Sequence, residues 1–409
     1  MKSKTILAIE TSCDETAASV VCVQKTKHDY KIEVLSNVVA SQIEIHKKWG
    51  GVYPELASRA HLEKIIPVLE EALAPLVRHP GLDPGSRHSG LRIESAMTTI
   101  DAIAVTVGPG LIGSLLMGVE TTQILASYFK KPVVPVNHLE GHMYSAFAEY
   151  KVKNQKSKVK ISSQNLKVNI PYSGIFPILA LVVSGGHTSL ILMNKHLSYE
   201  TVGQTIDDAA GEAFDKVARI LELGYPGGPA IEKLAQKGNP DAYKLPLSML
   251  KSKDLNFSFS GLKTAVLYLV KPPGKFSTSS NNNILRASKT SREAPKINKT
   301  DLAASFQKTV AEILTRKTIS AIKKYRPKTV ILSGGVSANS YLREHFVRSI
   351  SLIPETWNLK PTILVPPREL STDNALGIGI AGAIKFLEGK STHWSKIDAR
   401  ANFPIDQTR

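Results

Sequence analysis

Cysteine is nearly absent from this chain of 409 residues: only Cys13 and Cys22 occur. Two thiols nine positions apart offer neither a disulfide framework nor the closely spaced pairs of a structural metal knuckle, and they fit a reducing compartment. Cys13 lies between a serine and an aspartate with no base in view, so it reads as structural rather than reactive. Long apolar runs are also missing. None approaches the ~18 residues that suggest a membrane-crossing helix, so no membrane association is expected. The opening Met1 to Lys4 passes directly into a strand-like Thr5 to Glu10, which is too short and too acidic at its end for a secretory signal. A cytoplasmic protein is expected.

Acidic residues are short relative to basic ones, 35 against 52, for a formal net charge of +17. That excess is uneven. Segment 151–174 carries six lysines and no acid, segment 271–299 carries seven Lys/Arg against Glu293 alone, and segment 77–97 carries three arginines against two acids. All three are rich in Lys, Ser, Asn, Pro or Gly and poor in periodic apolar residues, the composition of solvated loops. They read as insertions into a more ordinary body. Bulk basicity is therefore weak support for a nucleic-acid partner.

The remainder is ordered α/β sequence, long enough for two or three domain-sized units. Ile6 to Glu10, Thr11 to Thr16 and Ala17 to Val23 read as strand, polar turn and strand. The pattern recurs at Ile178 to Val183, Ser184 to Thr188 and Ser189 to Met193, now with Gly185 and Gly186 where a backbone must come close to a ligand. Such recurrence predicts an internal duplication. Thr329 to Ser333, then Gly334 to Ser340, then Tyr341 to Phe346 reads as strand, glycine-rich turn and helix, a usual seat for a nucleotide phosphate at a helix N-terminus. Gly108, Gly110 and Gly113 introduce an apolar helix running to about Tyr128, where tight packing explains glycine as well as ligand approach does. Asp208, Glu212 and Asp215 share one face of a helix whose start is rich in acids.

Asn137-His138-Leu139-Glu140-Gly141-His142 follows the apolar run Pro132 to Val136. Two imidazoles four apart, about one helical turn, can direct two nitrogens at one ion. The expected place, a strand's C-terminal end where a helix begins, is where open α/β sheets put ligands. The zincin motif H-E-x-x-H is not reproduced: Glu140 stands second after the first histidine, a rotation of about 100° on a helix. Asp373, ahead of a small-residue helix, is explained equally by N-capping and by service as a third ligand.

Six stretches in order resemble one family: Ala8 to Thr16, Gly51 to His61, Asn137 to His142, Val183 to Thr188, Asp207 to Lys216 and Phe257 to Thr264. Together they are similar to the tRNA threonylcarbamoyladenosine transferases, once called glycoproteases. The resemblance implies an α/β fold of two duplicated lobes of the actin/Hsp70/sugar-kinase kind, with an N-terminal lobe over 1–136, a C-terminal lobe over 137–374 and a C-terminal helix over 375–409 returning to the first lobe. It implies transfer of a threonylcarbamoyl group from threonylcarbamoyl-AMP to the exocyclic amine of adenosine 37 in tRNAs reading codons that begin with A, with release of AMP. His138, His142 and Asp373 would bind one iron or zinc ion. Val182, Val183, Ser184, Gly185, Gly186, Asp215, Gly228, Glu232 and Asn339 would bind the adenylated substrate. Asp14 and Glu15 are candidates for proton handling at the amine or, equally, for orienting metal-bound water. The implied partners are tRNA, a degenerate paralogue and an ATPase. A metallopeptidase and a small-molecule kinase of the same fold are the competing readings.

Overall fold

A computed structural model describes residues 2–77, 89–148, 166–250, 252–271 and 297–408. The strands are β1 (Lys4–Glu10), β2 (Glu15–Lys25), β3 (Asp29–Ser41), β4 (Ala102–Gly108), β5 (Val133–Asn137), β6 (Leu166–Pro171), β7 (Ile178–Val183), β8 (Thr188–Lys195), β9 (Ser198–Gln204), β10 (Thr329–Ser333) and β11 (Thr362–Leu364). The helices are α1 (Ile43–Lys47), α2 (Pro54–Leu73), α3 (Ser89–Met97), α4 (Ile112–Phe129), α5 (His138–Ser145), α6 (Ala210–Ile220), α7 (Gly227–Ala235), α8 (Ser260–Val270), α9 (Lys299–Tyr325), α10 (Ser340–Ser351) and α11 (Ala375–Leu387).

The two sheets repeat one topology. In the first the order is β5, β4, β1, β2, β3, β6, and in the second β11, β10, β7, β8, β9. Each has an antiparallel meander, β1 to β3 or β7 to β9, whose first strand pairs in parallel with a later strand, β4 or β10; that strand in turn pairs with β5 or β11. This is the duplication that the recurring strand-turn-strand pattern predicts. Continuous apolar composition explains the inner strands: every residue of β4, β7 and β10 is buried, as strands covered on both faces must be. One core lies between the sheets around α5 and α11. The other two cover the outer faces, with α2, α3 and α4 on the first sheet and α6 to α10 on the second.

All three segments expected as solvated insertions are partly built into this frame. Strand β6, inside segment 151–174 and beyond the lobe boundary expected at 136, pairs antiparallel with β3 and belongs to the first sheet. Its alternation decides this: Val168 and Ile170 are buried while Lys167 and Asn169 face solvent. The lysine-rich composition masks a short amphipathic edge strand. Likewise Ser89–Met97 is helical and buries Ala96 and Met97. At the end of segment 271–299, Asn298 caps α9 by accepting from Thr300 N at 3.0 Å, and Ile297 packs on the core. Residues 78–88, 151–165 and 272–296 lie outside the described residues.

Helix α11 returns to the first sheet and packs on β1, β2 and β4 as well as α5. Its small residues make that possible. A Cβ on Gly382 would lie 2.4 Å from Ala104 Cβ, and one on Gly377 would lie 2.1 Å from the Gly141 carbonyl oxygen of α5. Within the interface, Lys385 Nζ donates to Glu140 Oε2 at 2.6 Å and to Pro135 O at 3.0 Å. A buried ion pair and a glycine contact thus hold α5 and α11 at one fixed separation. Among the described residues no helix is long and apolar enough to cross a membrane.

Candidate metal centre and substrate cleft

The His138-x3-His142 pair sits where the sequence predicts, at the end of β5 as α5 begins. Asn137 sets the start of that helix. Its Oδ1 accepts from Leu139 N at 2.9 Å, while its own N donates to Glu140 Oε2 at 2.9 Å, a reciprocal cap. Glu140 therefore serves the helix end and Lys385, which confirms that it is not placed as a peptidase base.

Asp373 joins the pair from the turn ahead of α11. The capping alternative falls away because Asn374 caps that helix, accepting from Leu376 N and Gly377 N at 3.1 and 3.3 Å. Asp373 Oδ1 lies 3.5 Å from His138 Nε2 and 3.3 Å from His142 Nε2. These three residues form a group able to hold a metal ion, with one ligand atom from each inside a 4.8 Å span. Fit is supported by an orphan: His142 Nε2 is buried and has no hydrogen-bond partner, although it faces the carboxylate across 3.3 Å. A cation between them would take that lone pair.

A buried carboxylate orients the first imidazole. Glu10, at the end of β1, accepts from His138 Nδ1 at 3.0 Å, from Thr106 Oγ1 at 2.8 Å and from Ser12 N at 2.5 Å. With a proton on Nδ1 donated to Glu10, Nε2 is the nitrogen that a bound cation would take, displacing its proton. Burial opposes the charge on His138, but Asp373 and Glu10 outweigh it and raise its pKa to about 9. Burial likewise opposes ionisation of Asp373. The imidazoles of His138 and His142 override that and hold its carboxyl well below the usual range. Glu10 carries no sequence signal of its own, since it reads only as the acidic end of a strand.

The cluster opens into a cleft of about 720 Å³. From the first lobe it is lined by Ser12 to Glu15 and Gly50 to Val52, and from the second by Ser184 to His187, Glu212, Asp215, Lys216, Arg219 and Tyr225. Arg219 donates to the Gly50 carbonyl at 2.8 Å and so ties the two walls together. Asp14 and Glu15 both line it. Burial first, then the charges of Asp373 and Asp14, raises the Glu15 pKa well above the usual carboxylate value. Burial and the neighbouring imidazoles of His138 and His142 depress that of His187 to about 4, leaving its ring neutral.

A second cavity of about 170 Å³ shares Gly185, Asp215 and Gly335 with the first, and adds Gly228, Glu232 and Asn339. The fold therefore brings most of the expected substrate residues together. Val182 and Val183 are different: their side chains belong to the two cores on either face of β7. Side chains added at Gly185, Gly186, Gly228 or Gly335 would meet open space, so those turns are shaped for something other than packing. By contrast Gly108 and Gly110 serve packing, as an added Cβ would strike Arg400 O at 2.1 Å and Ser12 O at 2.5 Å.

Two expected substrate contacts are already engaged. Asn339 caps α10, its Oδ1 accepting from Leu342 N at 2.9 Å and its Nδ2 donating to Gln307 Oε1 at 2.8 Å. Both ends of the Asn339 amide thus already have protein partners. Glu232 Oε1 accepts from Ser340 N at 2.9 Å, which orders the same helix start. The acids expected on one face of a helix also divide. Helix α6 begins only at Ala210, so Asp207 and Asp208 precede it; Asp207 accepts from Ser258, Phe259 and Ser260, and Asp208 pairs with Lys216.

The profile of TsaD, tRNA N6-adenosine threonylcarbamoyltransferase, matches residues 33–161 and 155–380. The chain belongs to the TsaD family. It is 43% identical over 383 residues to the tRNA N6-adenosine threonylcarbamoyltransferase of Moorella thermoacetica, covering 93% of this chain and 92% of that protein. With the Bacillus subtilis protein of the same name it shares 44% identity over 389 residues, covering 95% and 92%. As a TsaD-family member it is a transferase of the tRNA-modification class. Among solved structures, full-length HypF in its phosphate- and nucleotide-bound form superposes with a TM-score of 0.50 at 13% identity, over 96% of this chain and 47% of that one. At that identity the likeness concerns the fold, which is of the two-lobed actin/Hsp70/sugar-kinase kind.

Proposed function

We propose that this TsaD-family chain transfers the threonylcarbamoyl group from threonylcarbamoyl-AMP to the exocyclic amine of adenosine 37 in tRNAs reading codons that begin with A. The observation that carries the reading is the continuity of two features: a glycine-lined cavity and a His-His-Asp cluster open into one cleft between duplicated lobes. The adenylate is a mixed anhydride and already activated, so positioning and charge stabilisation matter more than a strong nucleophile. The amine nitrogen forms a bond to the carbamoyl carbon, the carbon–oxygen bond to phosphate breaks, and AMP leaves with the electron pair.

The residues divide that work. Gly185, Gly186 and Gly335 line the cleft, and the backbone N–H groups of such turns suit the AMP phosphate, while Ser184 N donates to His187 O at 2.8 Å and fixes the first turn. Gly228 and Asp215 bound the cavity for its nucleoside. Val182 and Val183 fix the strand that carries this turn, and Glu232 and Asn339 line the cavity and order the start of α10. His138, His142 and Asp373 would hold one iron or zinc ion, which supplies Lewis acidity toward the threonylcarbamoyl oxygens. Glu15, with its raised pKa, is suited to take the proton released by the amine, and Asp14 stands beside it. The partners of this reading are tRNA, a degenerate paralogue and an ATPase, in the cytoplasm.

The test is reconstitution with those partners, unmodified tRNA and threonylcarbamoyl-AMP, scored for modified adenosine. Product formation supports the reading. Its absence, together with cleavage of a protein substrate that His138→Ala abolishes, would establish the peptidase alternative instead. ATP-driven phosphorylation of a small acceptor would establish the kinase.

A further inference from the structure

A third cavity lies away from the cleft, between Leu250 and Ser252 to Leu255 on one side and the outer face of α9 on the other. Its volume is about 470 Å³, and Ser252, Lys253, Arg316, Lys317, Ser320 and Lys324 supply the cations and hydroxyls of its lining. Spacing on α9 explains the convergence: Arg316, Ser320 and Lys324 are successive i, i+4 neighbours, and Lys317 is one turn before Ser320. Ser252 and Asp254 are tied to the helix. Lys317, whose side chain is only 3% exposed, donates to Ser252 Oγ and to the Asp254 carbonyl, both at 2.8 Å.

Negative charge is scarce here. Asp254, the one carboxylate among the described lining residues, accepts from Ser252 Oγ and Asn256 N at 3.0 Å and lies 3.5 Å from Lys317 Nζ. Glu312 pairs with Arg316 from outside the lining. Among the described residues, neither Lys253 nor Lys324 meets a carboxylate, and Lys324 lies over the Tyr325 ring. Four cations and two hydroxyls therefore face one committed acid. Structural tethering of the loop accounts for Lys317 but not for the three exposed cations around it.

We propose that this cavity binds the phosphodiester backbone of the RNA substrate, as a docking site separate from the transfer cleft. The inference rests on the tRNA-modifying reading above. Its lining suits phosphate rather than bases: Lys and Arg cations and serine hydroxyls are backbone contacts, which position RNA without reading its sequence. Among the described residues, no aromatic ring lines the cavity for a base to stack on.

The experiment measures tRNA binding to the full chain across a salt series for wild type, for Arg316→Glu with Lys324→Glu, and for a matched control that reverses the exposed Lys27 and Lys31 of the first sheet. Melting temperature verifies that each variant is folded. The cavity variant should bind tRNA roughly ten-fold more weakly at low salt, with a salt slope smaller by about one to two, and the control should change little. Equal tRNA affinity and slope in wild type and cavity variant would overturn the proposal, as would an equal loss in the control. Inorganic tripolyphosphate serves as the second probe. If it binds wild type and loses affinity in the cavity variant while tRNA binding is unaffected, the site takes free polyphosphate and the RNA assignment fails. Modified-adenosine formation by the same wild-type preparation separates the two claims: with product formed, an unaffected variant refutes only the docking site, and with none formed the functional reading falls and takes this inference with it.

Discussion

Replacing Gly377 by alanine probes how the metal cluster is held together. Gly377 lies on α11, four residues after Asp373, and faces the α5 turn that carries His138 and His142. A Cβ there would sit 2.1 Å from Gly141 O and 2.3 Å from Ser145 Oγ. An ordinary C···O contact is about 3.3 Å or more, so α11 must retreat from α5 by roughly 1 Å, and a backbone carbonyl cannot swing aside as a side chain would. Alanine gains about 1 kcal/mol of helix propensity, against a cost of roughly 1–3 kcal/mol for overpacking. The net stability change is therefore small. The effect on the cluster is larger, because ligand distances tolerate only about ±0.2 Å and disturbed support around a metal typically lowers affinity about 10–100-fold. Gly379→Ala is the control, since its Cβ would meet only Ala8 and Val21 side chains at 3.3 Å. Metal affinity by competitive chelation and stability by denaturant titration should separate the two variants. Wild-type metal affinity in Gly377→Ala would refute the claim that the α5–α11 contact sets the site.

Lys385→Met should destabilise the protein by about 3–5 kcal/mol in urea unfolding, because it leaves the buried Glu140 carboxylate unpaired. Removing 166–170 uncovers the hydrogen-bonding edge of β3 and deletes the buried Val168 and Ile170, so a loss of about 3–6 kcal/mol is expected at about 1.5–3 kcal/mol each; a stability unchanged by that deletion would show that β6 is dispensable. In metal-free protein, His138 has a folded pKa raised to about 9, so the stability it contributes is complete below its unfolded value near ~6.5 and is lost as pH rises through about 9. The melting temperature of the metal-stripped chain should fall across that window relative to His138→Gln, and parallel profiles would count against a buried imidazolium.

Much of this architecture is legible in the sequence because apolar runs and polar turns repeat. Ile178 to Val183 and Thr329 to Ser333 are strands for the reason their composition states, burial on both faces. Pattern reading fails where one residue type serves two ends. Asp373 is compatible with capping or ligation, and only the neighbouring Asn374, which takes the cap, decides between them. Asn339 looks free to meet a ligand because its partner Gln307 is 32 residues away on α9. Glu10 is hidden at the end of an ordinary strand, since the imidazole it orients lies 128 residues further on. Strand β6 is obscured by composition: lysine and asparagine alternate with only two buried apolar residues, too few to outweigh a basic surrounding.

The most direct test of the central claim compares wild type with His142→Ala, each reconstituted with partners, unmodified tRNA and threonylcarbamoyl-AMP. Metal content and modified adenosine are measured on the same preparations. Product and bound metal are predicted in the wild type, and a folded variant that retains the glycine-lined cavity but loses the metal and at least about 100-fold in transfer. A folded His142→Ala protein that is free of metal and transfers at the wild-type rate would contradict the claim.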